Sequence, residues 1–216
     1  MPAKKSATKS TKKSTTKTPK PQAKTAAKSM ARPNAKPSGK PPQSKPYEEG
    51  KWAAEFTRAK GERRNWLVKS EPDVFSFDDL LAAKNETTCW DGVRNTGARN
   101  FLRDGLKRGD RVLFYHSNAE PSCIAGICEV VKEGYSDSSA FDPKSDYYDA
   151  ASDATHPTWF MVDVRAVEKL KRPVTLPEIK ASAALANMAL IRVSRLAVVP
   201  VTDAEWDIVV EMSREG

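Results

Sequence analysis

Residues 87–105, TTCWDGVRNTGARNFLRDG, set one tryptophan ahead of three arginines and two asparagines that fall within ten residues. A flat aromatic beside so much hydrogen-bonding capacity suits one of two things. One is a strand–loop–helix corner with Trp90 in the core. The other is a pocket for a flat, polar, anionic group, such as a nucleobase on its phosphate backbone. Asp91 and Gly92 break a strand directly after Trp90, so the indole is expected where the chain leaves the sheet, as a pocket wall open to solvent. In the helix that follows, Asn95, Arg99 and Arg103 recur every four residues and form one stripe. Ala98, Phe101 and Leu102 lie on an adjacent arc that can face the core. The helix start near Asn95 and Thr96 offers exposed N–H groups to an anion. The plainer alternative is a solvated basic face paired with Asp91 and Asp104.

Two further stretches end strands with polar side chains. In VKSEP, Lys69, Ser70 and Glu71 precede Pro72. In RVLFYHSN, Val112, Phe114 and His116 share one face, so His116 is expected at the mouth of whatever Val112 and Phe114 fill, with Ser117 and Asn118 beside it. Residues 136–157 form an acidic loop with interleaved aromatics, including Tyr147 and Tyr148. Loops of that length in a small domain are usually functional. Classical catalysis finds little support: Ser117 has no visible base or elbow motif. Two distant histidines and three scattered cysteines make neither a zinc set nor a disulfide framework. No cofactor and no metal are expected.

The elements that position these residues are short. NWLVKSE reads as a strand stopped by Pro72, and SFDDLLAAK as a helix capped by Ser76. TTCW is a strand, residues 96–106 a helix, and RVLFYHSN and SCIAGICEVVKEGY two strands joined by NAEPS. TWFMVDVRAVEKL is a further strand, with Phe160, Val162 and Val164 on one face. A helix near 176–186 leads into LIRVSRLAVVPV as the last strand, and TDAEWDIVVEMSRE closes as a helix with a Thr202–Glu205 capping box. Five or six strands without strict strand–helix alternation, and with no glycine-rich phosphate loop, exclude a doubly wound sheet. They predict an α+β fold, a small mixed barrel with helices packed around it.

Charge divides the chain. Residues 1–46 hold twelve Lys, Arg32 and no acid, a charge of +13; the other 23 basic and 28 acidic residues leave 47–216 at −5. The tail has no aromatic and no Ile, Leu or Val, so it cannot offset the entropy of folding and is expected to be disordered. Its lysines, Lys4, Lys5, Lys12 and Lys13 among them, suit sequence-independent phosphate contact or a nuclear address. In the linker 47–64, Trp52 and Phe56 stand four apart, as on a short helix docking on the body. No apolar run is long enough to span a bilayer, so no membrane partner is expected.

The segments NWLVKSEP, TTCWDGVRN, ARNFLR, FYHSN, IAGICEVVKEGYSD and YYD, in that order, resemble the EVE domain over about residues 65–213. The resemblance covers the body and none of the tail. It implies a PUA-like fold related to YTH domains and a non-enzymatic reader of a modified base, oxidised or methylated cytosine in DNA, with DNA ahead of RNA. It also implies a base pocket built from Lys69, Ser70, Glu71, Trp90, Arg94, Asn95, Arg99, Asn100, His116, Ser117, Asn118 and Tyr148, with Arg103 and the tail on phosphates. Polar side chains at most motif positions suit a hydroxymethyl or carboxyl substituent, as in 5-hydroxymethylcytosine, because such a group needs hydrogen bonds once buried. The alternatives are an ASCH-like hydrolase of modified cytidines using Lys69 and Glu71, and a chromatin adaptor without base recognition. A monomer is expected, located in the nucleus, or in the nucleoid and cytoplasm if the host is bacterial.

Overall fold

All six residues of β1 (Asn65–Ser70) are buried, which requires cover on both faces of the sheet. Trp66 and Val68 point into one core and Leu67 into a second. The computed structural model describes residues 52–215. The tail, with Lys4, Lys5, Lys12 and Lys13, and the first residues of the linker lie outside the described residues.

The sheet has six strands. With β1 they are β2 (Thr87–Trp90), β3 (Arg111–His116), β4 (Cys123–Ser136), β5 (Phe160–Thr175) and β6 (Val198–Val201). Their order is β2–β5–β4–β3–β1–β6. Only β1 and β3 run parallel among these pairs, and their register sets Ser70 beside His116. Two candidate site residues from distant sequence thus meet at one sheet end. The long strands β4 and β5 shift register four times along their shared edge, and such irregularities bend a sheet around its core. The first core holds Trp66, Phe77, Trp90, Phe101 and Phe114; the second holds Leu113, Ile124, Val199 and Trp206. The α+β class expected from the strand and helix pattern is the one observed.

Helix α1 (Phe77–Ala82) starts at Ser76, whose side chain forms a capping box with Asp79. Helix α2 (Thr96–Asn100) runs on as a π-helical turn, Phe101–Gly105. Helices α3 (Leu176–Ala181), α4 (Ala189–Arg192) and α5 (Asp203–Met212) pack on the second core, and Thr202 caps α5 through Glu205 as the sequence predicts. The run LIRVSRLAVVPV departs from expectation. It opens as α4, which buries Ala189 and Leu190, and only its last residues reach β1 as a strand. Burial of those aliphatic side chains on the second core outweighs their strand propensity. Strand β5 also runs beyond the predicted Leu170. Pro173 is tolerated because it falls where the register jumps between Lys169 and Val174.

Before β1, a 3-10 turn (Ala53–Phe56) sets Trp52 and Phe56 against the ring of Phe101, each 5.7 Å between centroids. Asp110 ties this segment down. Its carboxylate accepts from Arg58 Nη1 and Nη2 at 2.7 and 2.8 Å and from Trp66 Nε1 at 2.9 Å.

Candidate nucleic-acid interface

Trp90 does not wall an open pocket. It is 1% exposed, and its indole meets Phe114 edge-on at 5.3 Å. The reason lies in register: Trp90 pairs with Val162, whose side chain faces the first core, and a strand residue shares its partner's face. The chain leaves the sheet only after Trp90 has turned inward.

The exit itself is built tightly. Gly92 sits at φ +75°, and a Cβ there would lie 2.8 Å from the ring of Tyr147, so only glycine admits that ring. Asp137, at the end of β4, accepts from Gly92 N at 3.0 Å and Arg94 Nη1 at 2.7 Å. Burial drives the Asp137 carboxyl upward, but its bonds from Ser139, Arg94 and Gly92 prevail and hold it below the ordinary carboxylate range. Arg94 also donates through Nε to the carbonyl of Tyr147 and through Nη2 to Ser139 Oγ. One guanidinium therefore pins the acidic loop to the β2 exit.

Trp159, half-buried at the other end of that loop, lies under two guanidinium groups. Arg94 is 5.3 Å and Arg99 5.9 Å from the ring centroid. Arg99 also donates to Asn100 Oδ1, and Asn100 is buried. Asn95 is the cap of α2, its Oδ1 accepting from the N–H groups of Gly97 and Ala98. Those donors are therefore spent internally, contrary to the anion site expected at the helix start. The predicted stripe is divided as well. The π turn follows Asn100, and Arg103 pairs with Asp104 and stacks on Phe160, 5.8 Å away.

At the other edge, Ser117 N donates to Ser70 O at 2.8 Å and Asn118 Nδ2 to Glu71 Oε1 at 2.8 Å. Ser70 is buried, its hydroxyl donating to the carbonyl of Phe75. His116 Nε2 accepts from Phe77 N at 3.1 Å, at the start of α1. Burial pushes its pKa down, which suits an unprotonated nitrogen in that role. His116 meets Phe114 edge-on at 5.5 Å, so Phe114 touches both His116 and Trp90. Tyr147 lies against Gly92 and under the Arg94 guanidinium. Burial first, then Asp91, Asp146 and Glu71, push its phenol pKa up against Arg94.

Two expected residues stand elsewhere. Lys69 points to the opposite side from Ser70, where Nζ donates to Ser194 O at 2.8 Å; burial lowers its pKa to about 8. It does not meet Glu71: a continuous strand would put the two on one face, but β1 ends at Ser70, and Glu71 turns to accept from Asn118 instead. Tyr148 is 45% exposed, whereas Tyr147 is 9% exposed, so the inward aromatic is the preceding residue. Trp159, Tyr147 and Asp137 are site residues outside the expected pocket set. The signal available for them was the return of aromatic residues on both sides of the acidic loop.

A cleft of about 540 Å³ lies apart from all of these, lined by Trp52, Arg63, Arg192, Pro200 and the start of α5. Its acids are engaged internally, Glu62 by Arg64 and Asp203 by Asn65. Among the described residues no helix is long and apolar enough to cross a membrane, and no cluster of His, Cys, Asp and Glu could hold a metal ion.

A bent mixed sheet with helices on both faces, and an arginine–aromatic cluster where β2 leaves it, defines a PUA-like module. The chain belongs to the EVE domain family, whose model matches residues 64–212. It is 40% identical to human thymocyte nuclear protein 1 over 168 residues, 70% of this chain and 74% of that protein. The chicken protein of the same name is 42% identical over 168 residues, 70% of this chain and 69% of that one. Among solved structures, a hypothetical protein from Leishmania major superposes with a TM-score of 0.69 at 43% identity, covering 73% of this chain and 98% of that one. Human THYN1 protein in complex with 5-methylcytosine-containing DNA superposes with a TM-score of 0.68 at 40% identity, covering 71% of this chain and 99% of that one.

Proposed function

We propose that this chain binds DNA and reads a modified cytosine, with 5-methylcytosine ahead of its hydroxymethyl and carboxyl derivatives. The observation that carries this is the likeness, at 40% identity, to a human protein solved with 5-methylcytosine-containing DNA. The cluster described above supports it. Tyr147, Arg94 and Trp159 stand where β2 leaves the sheet and Ser70, Glu71, His116, Ser117 and Asn118 where β1 and β3 end, so a base taken out of the stack would meet aromatic and polar groups together, with Trp90 buried behind them. Flipping costs a few kcal/mol. Stacking at about 1–3 kcal/mol per base nearly cancels that cost, so hydrogen bonds decide which base stays. Phosphate attraction comes from residues 1–46, with Lys4, Lys5, Lys12 and Lys13 at its start, since Arg103 on the body is paired with Asp104. The chain acts as a monomer in the nucleus, the compartment named for its thymocyte relatives. A hydrolytic Lys69–Glu71 pair is not favoured, since Lys69 is bonded to Ser194 O and Glu71 to Asn118.

The test is equilibrium binding of the full chain to duplexes identical except for one cytosine, 5-methylcytosine, 5-hydroxymethylcytosine or 5-carboxylcytosine. Tighter binding to 5-methylcytosine is expected. Equal affinity across the set refutes the reading.

A further inference from the structure

Two buried polar side-chain atoms in this region, Trp90 Nε1 and Ser136 Oγ, have no hydrogen-bond partner. Other indoles here are satisfied: Trp66 donates to Asp110 and Trp159 to Asp149. Buried Trp N–H groups usually find a partner, and an unmade buried donor is unfavourable enough to need a reason. The two atoms share one side of the sheet. Trp90 stands opposite Val162 and Ser136 opposite Phe160 on the strand between them. Positions 160 and 162 point the same way, so both side chains do too.

A reader of 5-methylcytosine in DNA faces a particular competitor. Thymine carries the same C5 methyl group, so contact with the methyl cannot separate the two bases. They differ at position 4, amine against carbonyl, and at N3, a bare acceptor in cytosine and an N–H in thymine. An indole N–H donates and never accepts, whereas a serine hydroxyl does either.

We propose that Trp90 Nε1 and Ser136 Oγ hydrogen-bond the edge of the bound base, the indole donating to N3 and the hydroxyl accepting from the 4-amino group, and thereby reject thymine. This deepens the reading above and rests on it. Thymine's N3–H would meet the indole N–H donor to donor, leaving both buried and unpaired. Ser136 adapts to either base, so the discrimination resides in Trp90. Tyr147 lies on Gly92, two residues beyond Trp90, and binding moves that ring aside. Trp90 is then a specificity residue through its N–H rather than through its stacking face.

The test uses the full chain and duplexes with 5-methylcytosine, cytosine or thymine opposite an abasic site, so that pairing cost is equal. Wild type is compared with a chain carrying 3-benzothienylalanine at position 90, which keeps the indole shape and lacks the N–H. The replacement is expected to weaken 5-methylcytosine binding about tenfold, the scale of one well-made hydrogen bond, and to leave thymine binding unchanged. The indole proton of Trp90 should also shift on adding the 5-methylcytosine duplex and not the thymine duplex. Ser136→Ala should weaken 5-methylcytosine binding and retain the preference over thymine. A folded replacement that keeps the wild-type ratio, or an indole proton that does not move, overturns the proposal while leaving the reader intact. Equal binding of cytosine and 5-methylcytosine by wild type defeats the reader, and this proposal with it.

Discussion

Replacing Trp90 by alanine separates a core residue from an open pocket wall. At 1% exposure, with Phe114 edge-on at 5.3 Å and Val162 opposite, the indole is surrounded by the first core. Truncation removes its transfer energy and leaves a cavity in the first core that its packed neighbours cannot fully collapse. The expected cost is about 3–5 kcal/mol. For a domain of this size each kcal/mol lowers the melting temperature by roughly 2–4 °C. Trp90→Ala should therefore melt on the order of 6–20 °C below wild type, followed by far-UV circular dichroism and cross-checked by urea midpoints. Trp90→Phe keeps an aromatic edge against Phe114 and should fall between the two. A Trp90→Ala chain melting within about 3 °C of wild type would refute the burial argument and restore the open wall. Because the alanine variant weakens the core and removes the N–H together, only the shape-preserving replacement tests its role in reading.

Asp110→Ala should cost about 3–5 kcal/mol in urea unfolding, since it strands the Arg58 guanidinium and the Trp66 N–H in a buried site. Burial raises the Asp110 carboxyl, but Arg58, the N–H groups of Lys107 and Arg64, and Trp66 outweigh it and hold the pKa below normal. That stabilisation is present above the unfolded carboxylate pKa and is lost as pH falls through the folded one; a variant with equal acid sensitivity contradicts it. Lys69 behaves oppositely. With its folded pKa near 8 and its unfolded pKa higher, the unfolded chain binds more protons between those values, so stability rises with pH there. Wild type minus Lys69→Met should show that rise at up to about 1.4 kcal/mol per pH unit, and a flat difference across the window refutes it. Deleting residues 1–46 should reduce the slope of log affinity against log salt by up to about a dozen; an unchanged slope makes the tail an address or spacer.

The fold was legible where local chemistry and tertiary demand agreed. Ser76 and Thr202 followed by acids three residues on, alternating Phe160–Val164, and the Ala98–Phe101–Leu102 arc all have one physical meaning, and the structure keeps it. Residues 190–196 misled because aliphatic runs satisfy a strand or a helix equally, and only the position of the second core decides. The site was legible as a set of segments and less so as side-chain directions. Trp90 was misread because Asp91 and Gly92 mark where a strand ends without telling which way its last residue faces; that is fixed by register with Val162, seventy-odd positions away. Lys69 was misread in the same manner, since which face of β1 opens to the candidate site depends on where α4 and the loop at Ser194 pack.

The arginines bear on how the two parts of the chain divide labour. Arg94 is consumed by Asp137, Ser139 and the carbonyl of Tyr147, Arg99 by Asn100, Arg103 by Asp104, and Arg58 by Asp110. A guanidinium paired with a carboxylate, as Arg58, Arg94 and Arg103 are, contributes little net field at a distance, and the body as a whole carries −5. The stripe that reads in sequence as a phosphate track is largely a set of internal struts, which hold the acidic loop and Trp159 against the end of the sheet. Long-range attraction to a polyanion then has to come from the +13 of residues 1–46. A body that repels DNA weakly and a tail that attracts it strongly suit a reader that must leave unmarked sites. On the proposed reading the tail would supply contact with any sequence, and the body would hold on only where a base edge pairs with Trp90 Nε1 and Ser136 Oγ.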